Sequence, residues 1–218
     1  MNKFLFPHMP KTGGTSILHA LNSCPELHIS ECYASPLKAK KSILKRLRNK
    51  VVCSRLSASE EFLYGHFSLN DVPSERLTNS RTIMFFREPI DWIGSYLFYF
   101  EKKHAARISD IERFIANQNL ERCYELFLGT YTPSDLDFIG IFEQYDLSVA
   151  RLSRLLKVDL PIAHKNVTER PQLPYRKLLS ARFDLTSIVR VMDHNLQIYN
   201  EALSLFQNGG VIKNDNVT

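Results

Sequence analysis

An α/β fold is what this sequence predicts: a P-loop-like parallel β-sheet flanked by helices, with a mainly helical C-terminal half. Two observations carry that expectation. Short apolar runs that end at Pro, Gly or Arg alternate with segments of helical periodicity in the first half, which favours a parallel sheet. In the second half, apolar residues recur mostly at helical spacing.

Asn2-Lys3-Phe4-Leu5-Phe6 reads as a strand, and a Pro/Gly/Thr loop follows it into the helical stretch Ser16-Ile17-Leu18-His19-Ala20-Leu21, which runs toward Pro25. Glu61 to Phe67 reads as a further short strand, with Gly65 allowing close backbone approach just before His66. Arg81 to Phe86 is strand-like and stops at Arg87-Glu88-Pro89. Pro89 suits a first helical turn, and Ile90 to His104 continues as an aromatic-rich helix. Asp110 to Gln118, Tyr145 to Lys157 and Leu185 to Phe206 are expected as helices, and Phe138 to Phe142 as an extra strand. In a parallel α/β sheet, ligands bind at the carboxyl ends of the strands, where the polar residues named above fall.

The chain has 218 residues, enough to bury a core without disulfides or a metal. No repeat or linker divides it, so one domain over residues 1–208 and a frayed polar tail over 209–218 are expected. Hydrophobic residues at 44% and charged residues at 23% argue against wholesale disorder. No stretch approaches the roughly 20 apolar residues that cross a bilayer, and no secretory leader is legible, so the expected location is cytoplasmic. Cys24, Cys32, Cys53 and Cys123 form no CxxC pair and no metal-ligand spacing, and read as reduced core or surface thiols. No metal site is expected.

The richest chemistry lies in Pro10-Lys11-Thr12-Gly13-Gly14-Thr15-Ser16. A loop between a strand and a helix offers unpaired backbone N–H groups at the positive end of the helix dipole. Gly13 and Gly14 let the backbone close around an anion, Thr12, Thr15 and Ser16 add hydroxyls, and Lys11 adds a full charge. A plain Gly/Thr turn capping a helix is the bland alternative. The nucleoside-triphosphate pattern GxxxxGK[ST] is the sharper rival, but it sets its lysine after the last glycine, whereas Lys11 precedes both.

His8-Met9-Pro10-Lys11-Thr12-Gly13-Gly14-Thr15-Ser16 resembles the 5′-phosphosulfate loop of the carbohydrate sulfotransferases, the family that includes heparan sulfate 2-O-sulfotransferase. Such enzymes also carry a strand ending in arginine and a helix with a serine eight residues on. Arg87 and Ser95 in Phe85-Phe86-Arg87-Glu88-Pro89-Ile90-Asp91-Trp92-Ile93-Gly94-Ser95-Tyr96 are similar to that pair, which holds a 3′-phosphate. The resemblance covers about the first 100 residues well. Gly140-Ile141-Phe142-Glu143-Gln144-Tyr145 and His164-Lys165-Asn166-Val167 match it more weakly, and the charged loop His164 to Arg170 either closes over the nucleotide or is solvated. The resemblance implies 3′-phosphoadenosine 5′-phosphosulfate (PAPS) as cosubstrate, PAP as product, no metal, and a hydroxyl acceptor.

Moving a sulfuryl group to a hydroxyl requires a base, and a histidine suits it. Among seven histidines, His66 sits at a predicted strand end in Tyr64-Gly65-His66, which resembles the family segment that carries the base. His8, beside the loop, is the second candidate, while His19, His28, His104, His164 and His194 have no comparable argument. The expected roles are His66 as base and Lys11 on the bridging oxygen.

Lys38 to Lys50 carries seven basic residues and no acid, within a net charge of +5. With Leu37, Ile43, Leu44, Leu47 and Val51 at helical spacing it reads as an amphipathic helix, either solvated or docking an anionic glycan, glycolipid or membrane surface. The expected acceptor is a saccharide or glycolipid, or else a small hydroxylated metabolite. Nucleic acid is disfavoured because no aromatics interleave with the basic residues. A P-loop kinase and a non-catalytic PAP- or glycan-binding module are the rival functions.

Overall fold

In a computed structural model the described residues are 3–34, 36–39, 47, 51–52, 61–162 and 174–209. Five strands are found among them: β1 (Lys3–Pro7), β2 (Ile29–Cys32), β3 (Phe62–Gly65), β4 (Ser80–Phe86) and β5 (Phe138–Ile141). They form one all-parallel sheet in the order β2-β3-β1-β4-β5. The helices are α1 (Gly14–Asn22), α2 (Pro36–Ala39), α3 (Ser74–Thr78), α4 (Pro89–His104), α5 (Ile111–Gln118), α6 (Cys123–Leu128), α7 (Tyr145–Leu156), α8 (Tyr175–Ser180), α9 (Leu185–Val191) and α10 (Asp193–Gln207). The charged loop His164 to Arg170, Cys53, the tail beyond residue 209, and nearly all of Lys38 to Lys50 lie outside the described residues.

Burial on both faces explains why β1, β3, β4 and β5 read as near-continuous apolar runs. Successive side chains point to opposite faces and build two cores. On one face Phe4, Phe6, Phe62, Tyr64, Ile83 and Phe85 pack with Ile17 and Leu21 of α1 and with Val149 and Leu152 of α7. On the other, Leu5, Leu63, Met84, Phe86, Ile139 and Ile141 meet Trp92 and Ile93 of α4, Tyr124 and Phe127 of α6, and Ala202 and Phe206 of α10. Each such fully buried side chain contributes about 1.5–3 kcal/mol of transfer free energy.

The edge strand β2 is missing from the sequence-based expectation. Ile29-Ser30-Glu31-Cys32 is half-polar, and it becomes a strand because β3 offers it backbone partners from Phe62 to Gly65. The expected single helix from Leu185 to Phe206 is two helices. Met192, with φ −92° and ψ 5°, ends α9 and opens α10 while its side chain is buried in the core, and no Gly or Pro marks the break. Two caps are as local chemistry dictates: the Glu88 carboxylate accepts from the Asp91 N–H ahead of Pro89 at the start of α4, and Asp110 accepts from the Arg113 N–H at the start of α5.

The strand order places the site. From β1 the chain travels to β2 and β3 on one side, then crosses to β4 and β5 on the other, so β1 is the point where the order reverses. The loops that leave β1, β3 and β4 therefore open side by side at the carboxyl edge. No described helix is long and apolar enough to cross a membrane.

Candidate anion-binding and proton-transfer site

The loop after β1 is held by its carbonyl groups. His66 Nδ1–H donates to the His8 carbonyl at 2.5 Å, and Thr12 Oγ1 donates to Met9 O at 2.8 Å. The buried indole of Trp92 donates through Nε1 to Pro10 O at 2.7 Å, and Arg87 Nη1 donates to Lys11 O at 3.0 Å. Gly13 O accepts from the N–H groups of Ser16 and Ile17, and Gly14 O accepts from the Tyr64 hydroxyl at 2.9 Å. Six carbonyls between positions 8 and 14 are thus engaged, by donors from α1, α4, the loop itself and the carboxyl ends of β3 and β4.

With the Ser16 and Ile17 N–H groups engaged by Gly13 O, it is the N–H groups of Gly14 and Thr15 at the start of α1 that are available to an anion. Lys11 and Gly13 both take left-handed φ values, 68° and 86°, which curls the loop into a concave nest at the positive end of α1. Gly14 is needed for a different reason than anion approach: a Cβ there would lie 1.8 Å from His8 Nε2. Thr12 is fully buried with its hydroxyl hydrogen engaged on Met9 O, so it shapes the loop, while Thr15 is exposed and Ser16 is buried at the first turn. Pro10 contributes its carbonyl to Trp92.

Two cations converge on this nest. Arg87, only 8% exposed, emerges from the end of β4; its guanidinium lies 4.4 Å from the Phe142 ring centroid and 5.4 Å from that of Tyr175. No ion pair among the described residues involves it, and its Nε is buried without a hydrogen-bond partner among them. Burial opposes its charge and lowers its pKa, against weaker attraction from Tyr175, Glu143 and Asp91. Lys11 is likewise lowered, by burial first and by the Arg87 charge second, and its Nζ lies 4.7 Å over the Tyr99 ring of α4. Ser95 is buried two turns into α4.

The histidines form a column of rings. Tyr64 stacks on His8 with centroids 5.4 Å apart and planes at 15°, His8 stacks on His66 at 5.2 Å and 28°, and the Tyr33 ring meets His66 edge-on at 5.3 Å and 62°. Gly65, just before His66, lets β2 and β3 approach: it has φ 145°, and a Cβ there would sit 2.0 Å from Cys32 O. A carbonyl can only accept, so the bond to His8 O puts the neutral His66 proton on Nδ1 and makes Nε2 the basic nitrogen. His8 differs in kind. Its ring is buried against Gly14, its Nδ1 lies 3.4 Å from Thr12 Oγ1, and burial, then His66, drives its pKa well below the usual histidine value. A buried, neutral His8 stacks against His66 and accepts the His66 Nδ1–H at its own carbonyl.

Three contributors are not evident from sequence alone: Trp92 as a carbonyl anchor, Phe142 as a ring against Arg87, and Tyr33 against His66. Trp92 carries the one usable signal, an indole one turn into a helix that follows a strand-end arginine. No group of three His, Cys, Asp or Glu suited to a metal ion occurs among the described residues.

Together these parts define an α/β protein with a concave loop at a helix N-terminus, a buried arginine beside it and an imidazole protonated at Nδ1. No protein-family model matches the chain, and no curated protein does. Among solved structures, a sulfotransferase from Alicyclobacillus acidocaldarius superposes with a TM-score of 0.46 at 10% identity, over 90% of this chain and 96% of that one. A shikimate kinase from Bacteroides thetaiotaomicron gives 0.45 at 11%, over 72% and 99%, and mouse sulfotransferase SULT7A1 in complex with PAP gives 0.41 at 13%, over 73% and 60%. Similarity at this level carries no argument about activity.

Proposed function

We propose that the protein is a sulfotransferase that moves the sulfuryl group of PAPS to a hydroxyl acceptor, a saccharide or glycolipid, by direct in-line transfer with His66 as base. The observation that carries this proposal is the buried Arg87 guanidinium, which has no carboxylate partner among the described residues and stands beside a loop whose carbonyls are already engaged. An uncompensated buried charge costs several kcal/mol, and a ligand with anionic groups at this position offsets that cost.

In this scheme the amides at the start of α1 and the Ser16 hydroxyl hold the phosphosulfate, and Arg87 with Ser95 holds the 3′-phosphate. Bound PAPS supplies the transferable sulfuryl group. His66 takes the acceptor hydroxyl proton at Nε2 as the oxygen–sulfur bond forms and the bond to the bridging oxygen breaks. Lys11 leaves the Tyr99 ring to neutralise the charge that develops on that oxygen. The Nδ1–H bond to His8 O supports His66 in this role because it presents the lone pair without a tautomer change.

The test compares thermal stabilisation by PAP with stabilisation by ATP plus magnesium, and follows radiolabelled PAPS into acceptors from a cell extract. PAP should stabilise the protein, and His66→Ala should keep PAP affinity within about threefold while losing at least about 100-fold in turnover. Stabilisation by ATP plus magnesium alone would reassign the site to phosphoryl transfer. PAP binding without transfer to any hydroxyl would leave a non-catalytic module.

A further inference from the structure

Tyr33 has no part in the mechanism above, yet it sits against the proposed base. Four rings follow one another in contact, with exposure rising along the series: Tyr64 and His8 are buried, His66 is half-buried, and Tyr33 is 60% exposed. One face of the imidazole is covered by His8, and the Nδ1 edge is committed to the His8 carbonyl. The Tyr33 ring, 5.3 Å from the imidazole, is the neighbour of His66 that is itself largely open to solvent.

Tyr33 immediately follows the carboxyl end of β2, and its hydroxyl donates to the Glu31 carboxylate, so the ring is tethered at its tip while much of its surface stays in solvent. Glu31 is exposed as well. An exposed aromatic ring beside a carboxylate combines a surface for C–H groups with an acceptor for hydroxyls. That is the chemistry of a ring-shaped polyol, apolar on its faces and hydroxylated around its edge. A linear alcohol offers the hydroxyl without the face.

We infer that Tyr33 and Glu31 form the acceptor subsite, with a pyranoside or cyclitol ring lying on Tyr33 so that one of its hydroxyls meets Nε2 of His66. This inference rests on the sulfotransferase reading. It assigns Tyr33 to acceptor binding and leaves nucleotide binding to the loop and Arg87.

The experiment measures PAP affinity by calorimetry and radiolabelled sulfuryl transfer from PAPS to a panel of neutral methyl hexopyranosides and myo-inositol, with glycerol as the acyclic control. The wild-type protein, Tyr33→Ala, Tyr33→Phe and Glu31→Gln are compared. Wild-type protein should transfer to at least one cyclic polyol with a lower KM than to glycerol. Tyr33→Ala should raise that KM about tenfold or more, the equivalent of about 1.4 kcal/mol of lost stacking, while PAP affinity stays within about twofold. Tyr33→Phe, which keeps the ring, should recover most of the loss, and Glu31→Gln should raise KM by a smaller factor. An unchanged KM in Tyr33→Ala, or equal use of glycerol, or no transfer to any cyclic polyol by a protein that binds PAP, would overturn the inference. Absence of PAP binding in the wild-type protein would instead overturn the sulfotransferase reading beneath it.

Discussion

Replacing Arg87 by methionine should make the ligand-free protein more stable and the nucleotide-bound protein less so. The guanidinium is 8% exposed with no ion-pair partner among the described residues. Leaving a buried charge unpaired costs about 3–5 kcal/mol in comparable cases. Against this, Arg87→Met gives up the bond to Lys11 O, worth about 1 kcal/mol, and the contacts with Phe142 and Tyr175, worth about 1–2 kcal/mol together after methionine packs on the same rings. The balance spans about 0–3 kcal/mol in the variant's favour and centres on about 1–2 kcal/mol, a rise of about 2–8 °C in Tm for a chain of this size.

With PAP present the order inverts. Losing a charge-assisted phosphate contact should cost about 3 kcal/mol, or roughly 150-fold in affinity. Wild-type protein at 100 times its Kd gains about 2.7 kcal/mol, which the variant at the same concentration forgoes almost entirely. Scanning calorimetry on both proteins, with and without PAP, should show the two melting curves exchange places. A ligand-free Arg87→Met protein less stable than wild type by more than about 1 kcal/mol would refute the reasoning, because it would mean that the protein itself compensates the charge.

Two further outcomes follow from the same loop. His8 has a pKa well below its unfolded value because its ring is buried, so its neutral state favours folding above about pH 6.5 and that contribution is lost as pH falls. Stability should drop by up to about 1.4 kcal/mol per pH unit below 6.5, and His8→Gln should lose that part of the slope in urea titrations whatever its baseline. An unchanged slope would mean that His8 titrates normally. Lys11 stands at φ 68°, where a Cβ costs about 1–2 kcal/mol and glycine none. After about 0.4–1 kcal/mol for the greater freedom of unfolded glycine, Lys11→Gly should be roughly 0.5–1 kcal/mol more stable than Lys11→Ala, with PAP affinity reduced in both. Equal stability would show that position 11 relaxes out of the left-handed region.

Local chemistry made much of this protein legible. Buried runs such as Lys3–Pro7 and Ser80–Phe86 announce central parallel strands because both of their faces are apolar, and Pro89 behind Glu88 announces the start of α4. Ile29–Cys32 and the break at Met192 were not legible, because the first is an edge strand stabilised by β3 and the second is imposed by packing without a Gly or Pro.

The residue types of the nest, Lys11 to Ser16, and the histidine of Tyr64-Gly65-His66 were determined by the sequence alone, since each lies within one short loop. What turns that loop into a cradle was decided only by the tertiary structure. Its carbonyls are held from 50, 58, 76 and 82 positions away, by Tyr64, His66, Arg87 and Trp92. Spacing along the chain carries no record of such partners, because a hydrogen bond between β1's loop and α4 exists only once the sheet has set them side by side. The same holds for His66: its side chain was legible, but the nitrogen that carries its proton was settled by the carbonyl of His8.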